Sequence, residues 1–424
     1  MEQTLIEHEH ALRRLYVTDQ QVISKQIKRF QHLEDGFRSH FGEADLHYFS
    51  TPGRIEISGN HTDHNHGMVL AASIDLDTIA VAAKTCENEI VLYSEGYDGP
   101  FVVKLVDLET KEQEKGTTIA LIRGIAARIK ELGGTIGGLN ICLSSSVLPG
   151  SGLSSSASFE VLIGTVLNCL YNGHRYSPEE LAAIGQYAEN KYFGKPCGLM
   201  DQMACAVGGI IFIDFKDPVN PKVEKVKFDF SKENYCVLVV HTGGNHADLT
   251  EDYAAIPAEM KAIAKDMGGN VLREICREQF FKELPELRRK HGDRAILRTL
   301  HFVRENERVA EQVGALESGE FSRFLNLVEA SGNSSVELLQ NIYTTKNVKE
   351  QGITLALALT EKYLAEIHAG ACRVHGGGFA GTILVFLPIG QVDKYVAEIE
   401  RVFGEGCAKV LSFRQYGTLC LNEF

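Results

Sequence analysis

The chain has no tryptophan, only 10 prolines and 10 cysteines in 424 residues, and no long apolar run. No stretch approaches the roughly 18 consecutive apolar residues of a membrane helix, so a membrane-spanning protein is not expected. The cysteines form no CxxC pair, which disfavours both a zinc knuckle and a dithiol redox motif and predicts reduced thiols in a cytoplasm. Basic residues are outnumbered, 43 against 56, for a net charge of −13. That balance disfavours nucleic acid or an anionic membrane as the main partner, and any anionic ligand must find a local positive site. The opening MEQTLIEHEHALRR is charged from its second residue and lacks the apolar core of a secretory signal, so no export is expected.

What is present is an ordinary globular composition, 44% hydrophobic and 23% charged, with a surplus of glycine at 40. A single core stops growing at roughly 250–300 residues, so two domains are expected, 1–215 and 216–424. Phe30, Leu33, Phe37 and Phe41 recur at helical spacing in a leader that runs to about Glu43. Short apolar runs between Ile55 and Glu95 predict strands. Ile119, Ile122, Ile125, Ile129 and Leu132 mark a helix that Gly133 and Gly134 stop. The alternation of Leu139, Ile141, Leu143 and Val147 predicts a half-buried strand, followed by a helix from about Leu153 to Tyr171. CVLVVH at 236–241 restarts the pattern and a helix-rich stretch follows to about Leu364. A strand in GTILVFLP, a helix striped by Val392, Tyr395, Val396, Ile399, Val402 and Phe403, and a strand in CAKVLSF close the chain. The class is mixed α+β.

Four clusters concentrate glycine with chemistry. VLPGSGLSSSAS, residues 147–158, lies between the alternating strand and the helix, where glycines admit backbone N–H groups to an anion and a helix start offers unpaired donors. It lacks the Lys of the GxxxxGK[ST] loop, and Ser154 as a plain helix cap is the alternative reading. TPGRIEISGNHTDHNHG, residues 51–67, gathers Arg54, His61 and Asp63 at strand ends, suited to a polyhydroxylated ligand; its histidine spacing fits no standard zinc pattern. ENKYFGKPCGLMDQMACAVGG, residues 189–209, holds Glu189 and Asp201, the latter in a small, semi-apolar setting that suits a base, although a helix N-cap is also open. VHGGGFAGTI, residues 374–383, places three glycines in a row before a strand, which costs folding entropy and points to close backbone approach.

These stretches, in this order, resemble the galactokinase-type sugar kinases of the GHMP small-molecule kinase family: PGR…GxHTDxN, PxGxGLSSSAS, E…GxPCGxMDQ and the GGGFGG turn, with further similarity at 242–260. The resemblance implies a two-domain GHMP kinase fold, its N-terminal domain carrying a left-handed βαβ unit and its C-terminal domain ferredoxin-like, with the active site between them. It implies ATP and Mg2+. Asp201 would accept the proton of, or orient, the sugar's anomeric hydroxyl, with Arg54 beside it. Pro149, Gly150, Ser151, Gly152, Leu153, Ser154, Ser155 and Ser156 would form the phosphate loop, and Ser156 and Glu189 would hold the metal. Asn60, His61, Asp63, Gly198 and Tyr253 would contact the sugar, together with Arg54 and Asp201, and Gly376, Gly377 and Gly378 would shape a further wall. The chain departs from the family at Asn60 for Glu, His64 for Tyr, His375 for Thr and Ala380 for Gly. An amide at position 60 donates where a carboxylate only accepts. The implied activity is phosphorylation of galactose or a related sugar; a non-catalytic sensor of sugar and ATP, or a GHMP kinase for another small alcohol, are the alternatives.

Overall fold

The computed structural model describes residues 2–16, 20–147, 150, 152–244 and 249–424, with the side chains of 2–8 and 231 outside that description. Two compact units emerge, and both are discontinuous. The first comprises Met1–Arg54, Ser73–Gly209 and Arg414–Phe424; the second comprises Ile55–Ala72 and Ile210–Phe413. A single division near residue 215 therefore differs from the observed partition, because the segment joining two long strands already belongs to the second unit and the last segment returns to the first.

The first unit starts with α1 (Glu2–Leu15) and α2 (Gln20–Phe41), then β1 (His47–Ser58), β2 (Met68–Thr85), β3 (Glu89–Ser94) and β4 (Phe101–Lys104). It continues with α3 (Thr118–Glu131), β5 (Gly138–Ser145), α4 (Ser155–Asn172), α5 (Pro178–Ala188) and α6 (Met200–Val207). Helix α3 starts at Thr117, whose hydroxyl accepts the Ala120 N–H, and stops where Gly133 and Gly134 bond back to Lys130 and Ile129. Helix α5 opens with a capping box between Ser177 and Glu180 and a proline in its first turn.

Strand β3 runs parallel to β5, which needs the α3 crossover between them, while β2 pairs antiparallel to β5. Side chains alternate across this sheet. Ala80, Ala82, Leu139 and Ile141 pack with Ile122, Ile125, Leu162, Val166 and Leu181 of α3, α4 and α5. Ile79, Val81, Ala83 and Cys142 pack with Leu12, Ile23, Phe30 and Phe37 of the leader. The leader thus covers the second face of this sheet, and a polar anchor fixes it. Asp77, fully buried, takes hydrogen bonds from Arg29 at 2.7 Å, Ser50 at 2.5 Å, Arg414 at 3.3 Å and the Tyr16 hydroxyl.

In the second unit the start of β2, Met68–Ala72, pairs antiparallel with β6 (Ile210–Asp214), which pairs with β7 (Lys222–Val226). Then follow β8 (Tyr235–His241), α7 (Thr250–Asp266), α8 (Arg277–Glu317, interrupted at Gly292), α9 (Phe321–Ser334) and α10 (Gly352–Ile367). After them come β9 (Ala371–His375), β10 (Thr382–Pro388), α11 (Val392–Phe403) and β11 (Ala408–Leu411). The sheet order β11-β8-β10-β9 is all antiparallel. With helices after β8 and β10 this is the ferredoxin-like β-α-β-β-α-β pattern. Its core joins Leu238, Val240, Ile383 and Val385 to Ile353, Leu357, Tyr395 and Ile399. Strand β12 (Leu419–Cys420) then joins the first unit's sheet beside β1. Among the described residues no helix is long and apolar enough to cross a membrane.

Candidate active site

In the first unit, Arg54 on β1 and Asp201 in the first turn of α6 form a two-pronged ion pair. The guanidinium Nε donates to Oδ1 and Nη2 to Oδ2, each at 2.8 Å. Its third nitrogen donates to the Gly152 carbonyl at 2.7 Å, and the Arg54 backbone N–H bonds the Leu153 carbonyl at 3.1 Å. One side chain therefore ties the acid to the Gly-Ser turn. Ser154 adds its hydroxyl to Asp201 Oδ2. Ser154 sits in the left-handed region and makes no side-chain cap, so its reading as a plain N-cap gives way: the hydroxyl serves the acid. Asp201 lies inside α6 with Leu199 in the cap position, which removes its own N-cap reading.

Burial alone would raise the Asp201 pKa. The charge and hydrogen bonds of Arg54, the Ser154 hydroxyl and the charge of Lys195 outweigh it and hold the carboxyl at about 2. Asp201 is thus a permanent carboxylate at neutral pH and a strong orienting acceptor. It is a poor proton store.

Gly150 and Gly152 both have φ of 75°, a conformation that favours glycine. Helix α4 starts directly after, with no acid in its own first turn, so its unpaired N–H groups and positive dipole end lie at Ser155 and Ser156, with Asp201 and Glu189 as the neighbouring carboxylates. Pro149 and Ser151 lie outside the described residues.

Glu189 ends α5 where the helix widens, its carbonyl accepting both the Gly194 and Lys195 N–H groups at 3.0 and 3.2 Å. Its carboxylate is 4% exposed. It meets the Ser156 hydroxyl at 3.4 Å, the Lys195 ammonium at 3.2 Å and the Gln202 amide at 2.9 Å. Gln202 also donates to Glu160 at 2.9 Å. Burial, then the charge of Glu189, pushes the Glu160 pKa well up and favours its neutral form. A hydroxyl beside a buried carboxylate is a hard oxygen donor set of the type magnesium takes when phosphates supply its other ligands.

In the second unit the Asn60 side chain is buried and fully engaged. Its NH2 donates to Glu56 Oε1 at 2.9 Å and to the Gly376 carbonyl at 2.7 Å, and its oxygen accepts from Asn341 at 2.7 Å. Glu56 is paired in turn with Arg373 at 3.2 Å. His61, at φ 56°, bonds the Gly377 carbonyl through Nε2 at 2.9 Å. Burial, with His64 and His301 nearby, pulls its pKa down to about 4 against the Gly377 carbonyl and Asp63. It is therefore neutral at pH 7, with Nδ1 as acceptor. Asp63 caps its own turn by accepting the His64 N–H at 2.9 Å. Tyr253 on α7 donates to the Gly378 carbonyl at 2.9 Å, and a Cβ at Gly377 would lie 2.6 Å from the Tyr253 ring. The glycine run thus receives Asn60, His61 and Tyr253 through its carbonyls. His375, one of the departures, accepts the Glu56 backbone N–H at Nε2 (3.1 Å) and meets Thr382 at 3.1 Å through Nδ1. Gly198 lies in the segment before α6.

Comparison with known proteins places this geometry. Residues 120–209 match the family described as GHMP kinases N terminal domain, and residues 35–84 match the galactokinase galactose-binding signature. A galactokinase of Mannheimia succiniciproducens is 31% identical over 376 residues, covering 87% of this chain and 91% of that protein. One from Streptomyces coelicolor is 30% identical over 374 residues, with 87% and 91% covered. The crystal structure of Lactococcus lactis galactokinase complexed with galactose superposes with a TM-score of 0.78 at 27% identity, covering 92% of this chain and 99% of that one. The chain belongs to the galactokinase family of GHMP kinases. Methanococcus jannaschii mevalonate kinase, at 17% identity and a TM-score of 0.57, shares the fold.

Within this family member, several residues act beside those read from the sequence. Lys195 and Gln202 both lie inside the quoted 189–209 stretch, yet nothing in their spacing gave them a role; the fold puts both on Glu189. Glu56 and Asn341 were not marked by any motif, and they account for the amide at position 60, since an amide bridges a carboxylate, a carbonyl and a second amide where a carboxylate could not.

Proposed function

We propose that this protein transfers the γ-phosphoryl group of ATP to the anomeric hydroxyl of galactose or a related sugar, giving a sugar 1-phosphate and ADP. The observation that carries the reading is the bidentate Arg54–Asp201 pair with Ser154 on the same carboxylate. Phosphoryl transfer runs mostly on positioning and charge, with little bond-making to nucleophile before the leaving group departs. A carboxylate with a pKa near 2 suits that demand: Asp201 accepts a hydrogen bond from the sugar hydroxyl and fixes its lone pair toward phosphorus. The proton leaves late, once the new P–O bond has made the oxygen acidic, and passes by way of the Asp201 carboxylate to solvent. Arg54 keeps Asp201 ionised and adds positive charge for the transferring group.

The turn from Gly150 to Ser156 and the start of α4 bind the phosphates through backbone N–H groups and hydroxyls, which suits a chain of net charge −13. Pro149 and Ser151 belong to the same proposed loop. Ser156 and Glu189 would hold magnesium, which when bound neutralises charge on the β- and γ-phosphates. His61, Asp63, Gly198 and Tyr253 are assigned sugar contacts. Asn60 acts by holding the Glu56–Asn341 network and the Gly376 carbonyl in place. The acidic balance favours small molecules over nucleic acid, and ten free cysteines suit a reducing cytoplasm.

The test is coupled ADP release over galactose, N-acetylgalactosamine, arabinose, glucose and mannose, for the native chain and for Asp201→Asn. Sugar-dependent turnover that falls at least about 100-fold in Asp201→Asn is expected, the cost of losing one preorganised charged group at the reacting centre. ATP and sugar binding without turnover in the native chain would instead identify a sensor.

A further inference from the structure

Helix α4 ends far along the chain from its phosphate-facing start, and its last turns carry a second group of reactive side chains. Cys169 lies on α4, and the helix is stopped by Gly173 in the left-handed region, whose N–H bonds back to Asn168. His174 follows, also left-handed at φ 59°, with its N–H on the Asn168 carbonyl at 3.2 Å. Two consecutive left-handed residues fold the chain back so that residues 169 and 174 share one end of the helix.

The last residues of the chain meet them there. Asn422 pins this segment, accepting the Tyr48 N–H at 2.8 Å and donating to the Leu46 carbonyl at 3.1 Å. Glu423, next to it, is bridged on both oxygens: the Cys169 thiol approaches Oε1 at 3.9 Å, and His174 Nε2 pairs with Oε2. One ligand atom from each of Cys169, His174 and Glu423 lies within 4.8 Å of the other two. Cys420, buried on β12, neighbours Cys169 and directs its own thiol to Asn422 Oδ1 at 3.8 Å. The neighbouring Cys420 thiol draws the Cys169 pKa down, against burial and the charge of Glu423.

We propose that Cys169, His174 and Glu423, with a water as fourth donor, form a binding site for a thiophilic divalent cation of the zinc type, which clips the segment 419–424 to the end of α4. The donor chemistry selects the cation class. Thiolate and imidazole suit zinc, whereas magnesium and calcium take oxygen. The separations fit as well, because bonds of about 2.0–2.3 Å to a tetrahedral ion set its donors roughly 3.3–3.8 Å apart, about 1 Å closer than the present limit. His174 and Glu423 side chains are 44% and 52% exposed, which leaves the ion an open path, while the Cys169 thiol is half-buried. Binding takes Cys169 as the thiolate, so the thiol proton now directed at Glu423 is released to solvent. Its ligands Cys169 and His174 stand about 250 residues from Glu423, so no local sequence motif announces the site.

The experiment uses the full chain, reduced, stripped with a chelator and desalted, then titrated with Co2+. A thiolate-to-cobalt charge-transfer absorption that saturates at one equivalent and is displaced by Zn2+ is expected. It should vanish in Cys169→Ala and weaken by at least about tenfold in affinity in His174→Ala and Glu423→Gln, two exposed positions where folding is not at stake. Cys276→Ala, which alters an exposed thiol beside Glu278, should leave it unchanged. Absence of the band, its survival in Cys169→Ala, or a Cys169–Cys420 disulfide that forms in air while the reduced protein binds no cation would each overturn the proposal. Magnesium at Ser156 and Glu189 gives no such band, so this outcome is independent of the kinase reading.

Discussion

Replacing Arg54 by Gln tests the idea that Arg54 works by keeping Asp201 ionised. In the native chain the Asp201 carboxyl is held at about 2 against an ordinary 3.8. At about 1.36 kcal/mol per pH unit that difference corresponds to about 2.5 kcal/mol, reduced to about 1 kcal/mol because the carboxylate is 34% exposed and partly screened. At pH 7 only about one molecule in 10⁵ carries a proton on Asp201. Burial alone acts the other way, raising the pKa. Arg54→Gln keeps a hydrogen-bond donor but removes the charge, so the Asp201 pKa should climb past 3.8. The stabilisation linked to Asp201 is present above its unfolded value and is lost as pH falls through about 2; in the variant, with the folded pKa above 3.8, the sign reverses and ionising Asp201 as pH rises costs stability. The assay is kcat/KM for ADP release across pH 5–9. Arg54→Gln should lose about 10²–10³-fold at pH 7, the cost of one preorganised donor at a developing charge. It should also show an acid limb shifted upward relative to the native profile. Titration of ATP itself is common to both chains and cancels in the comparison. A uniform loss with an unchanged profile would refute the reasoning, and would mean that Arg54 acts on the substrate alone.

Three further outcomes follow from the second unit. Asn60→Glu removes two donors and sets a carboxylate against Glu56 and the Gly376 carbonyl, so it should destabilise by about 3 kcal/mol or more. Glu56→Gln in the same chain should recover about 1–3 kcal/mol of coupling, read in thermal melts; additive effects would mean that the two side chains do not interact. His61 titrates near 4 in the fold and 6.5 when free, so the unfolded chain binds more protons between those values. Stability should therefore be full above pH 6.5 and decline toward pH 4, and His61→Gln should flatten that decline in a melting-temperature series; buried His301, shifted in the same direction, adds to it. Gly378→Ala places a Cβ 2.1 Å from the Asn341 carbonyl at a φ of 80°, for an expected loss of about 1–3 kcal/mol, and an unchanged melting temperature would contradict the close approach.

The elements with a strong apolar period were legible from residues alone. The helix striped by Ile122, Ile125 and Ile129 is α3, Thr118–Glu131; the stripe from Val392 to Phe403 is α11; and GTILVFLP contains β10. Less legible were α6 (Met200–Val207), only two turns long and read as part of a motif, and β7, whose KVEKV faces water on most positions. The discontinuous units were not legible either. Periodicity reports which residues face a core, but not that one pair of long strands contributes to two. The charged leader gave no sign of Tyr16 and Arg29 converging on Asp77, because that partner lies on a strand more than forty residues later.

The same limit explains what the sequence could say about the acid. Asp201 among glycines and methionines has no readable pKa, and burial considered by itself argues for a raised value and a general base. What reverses the sign is Arg54, 147 positions away, whose fork reaches both oxygens. Motif matching pairs these residues correctly but gives no charge state, and the charge state decides the chemistry. An acid near 7 would take the proton early and make an alkoxide; an acid near 2 can only aim the hydroxyl and wait. The glycine surplus has a parallel meaning. Gly150 and Gly152 supply left-handed turns before the start of α4, where the proposed reading puts the phosphates, whereas the carbonyls of Gly376, Gly377 and Gly378 accept from Asn60, His61 and Tyr253. One cluster shapes a helix start for an anion under that reading; the other uses its acceptors to fix the side chains around it.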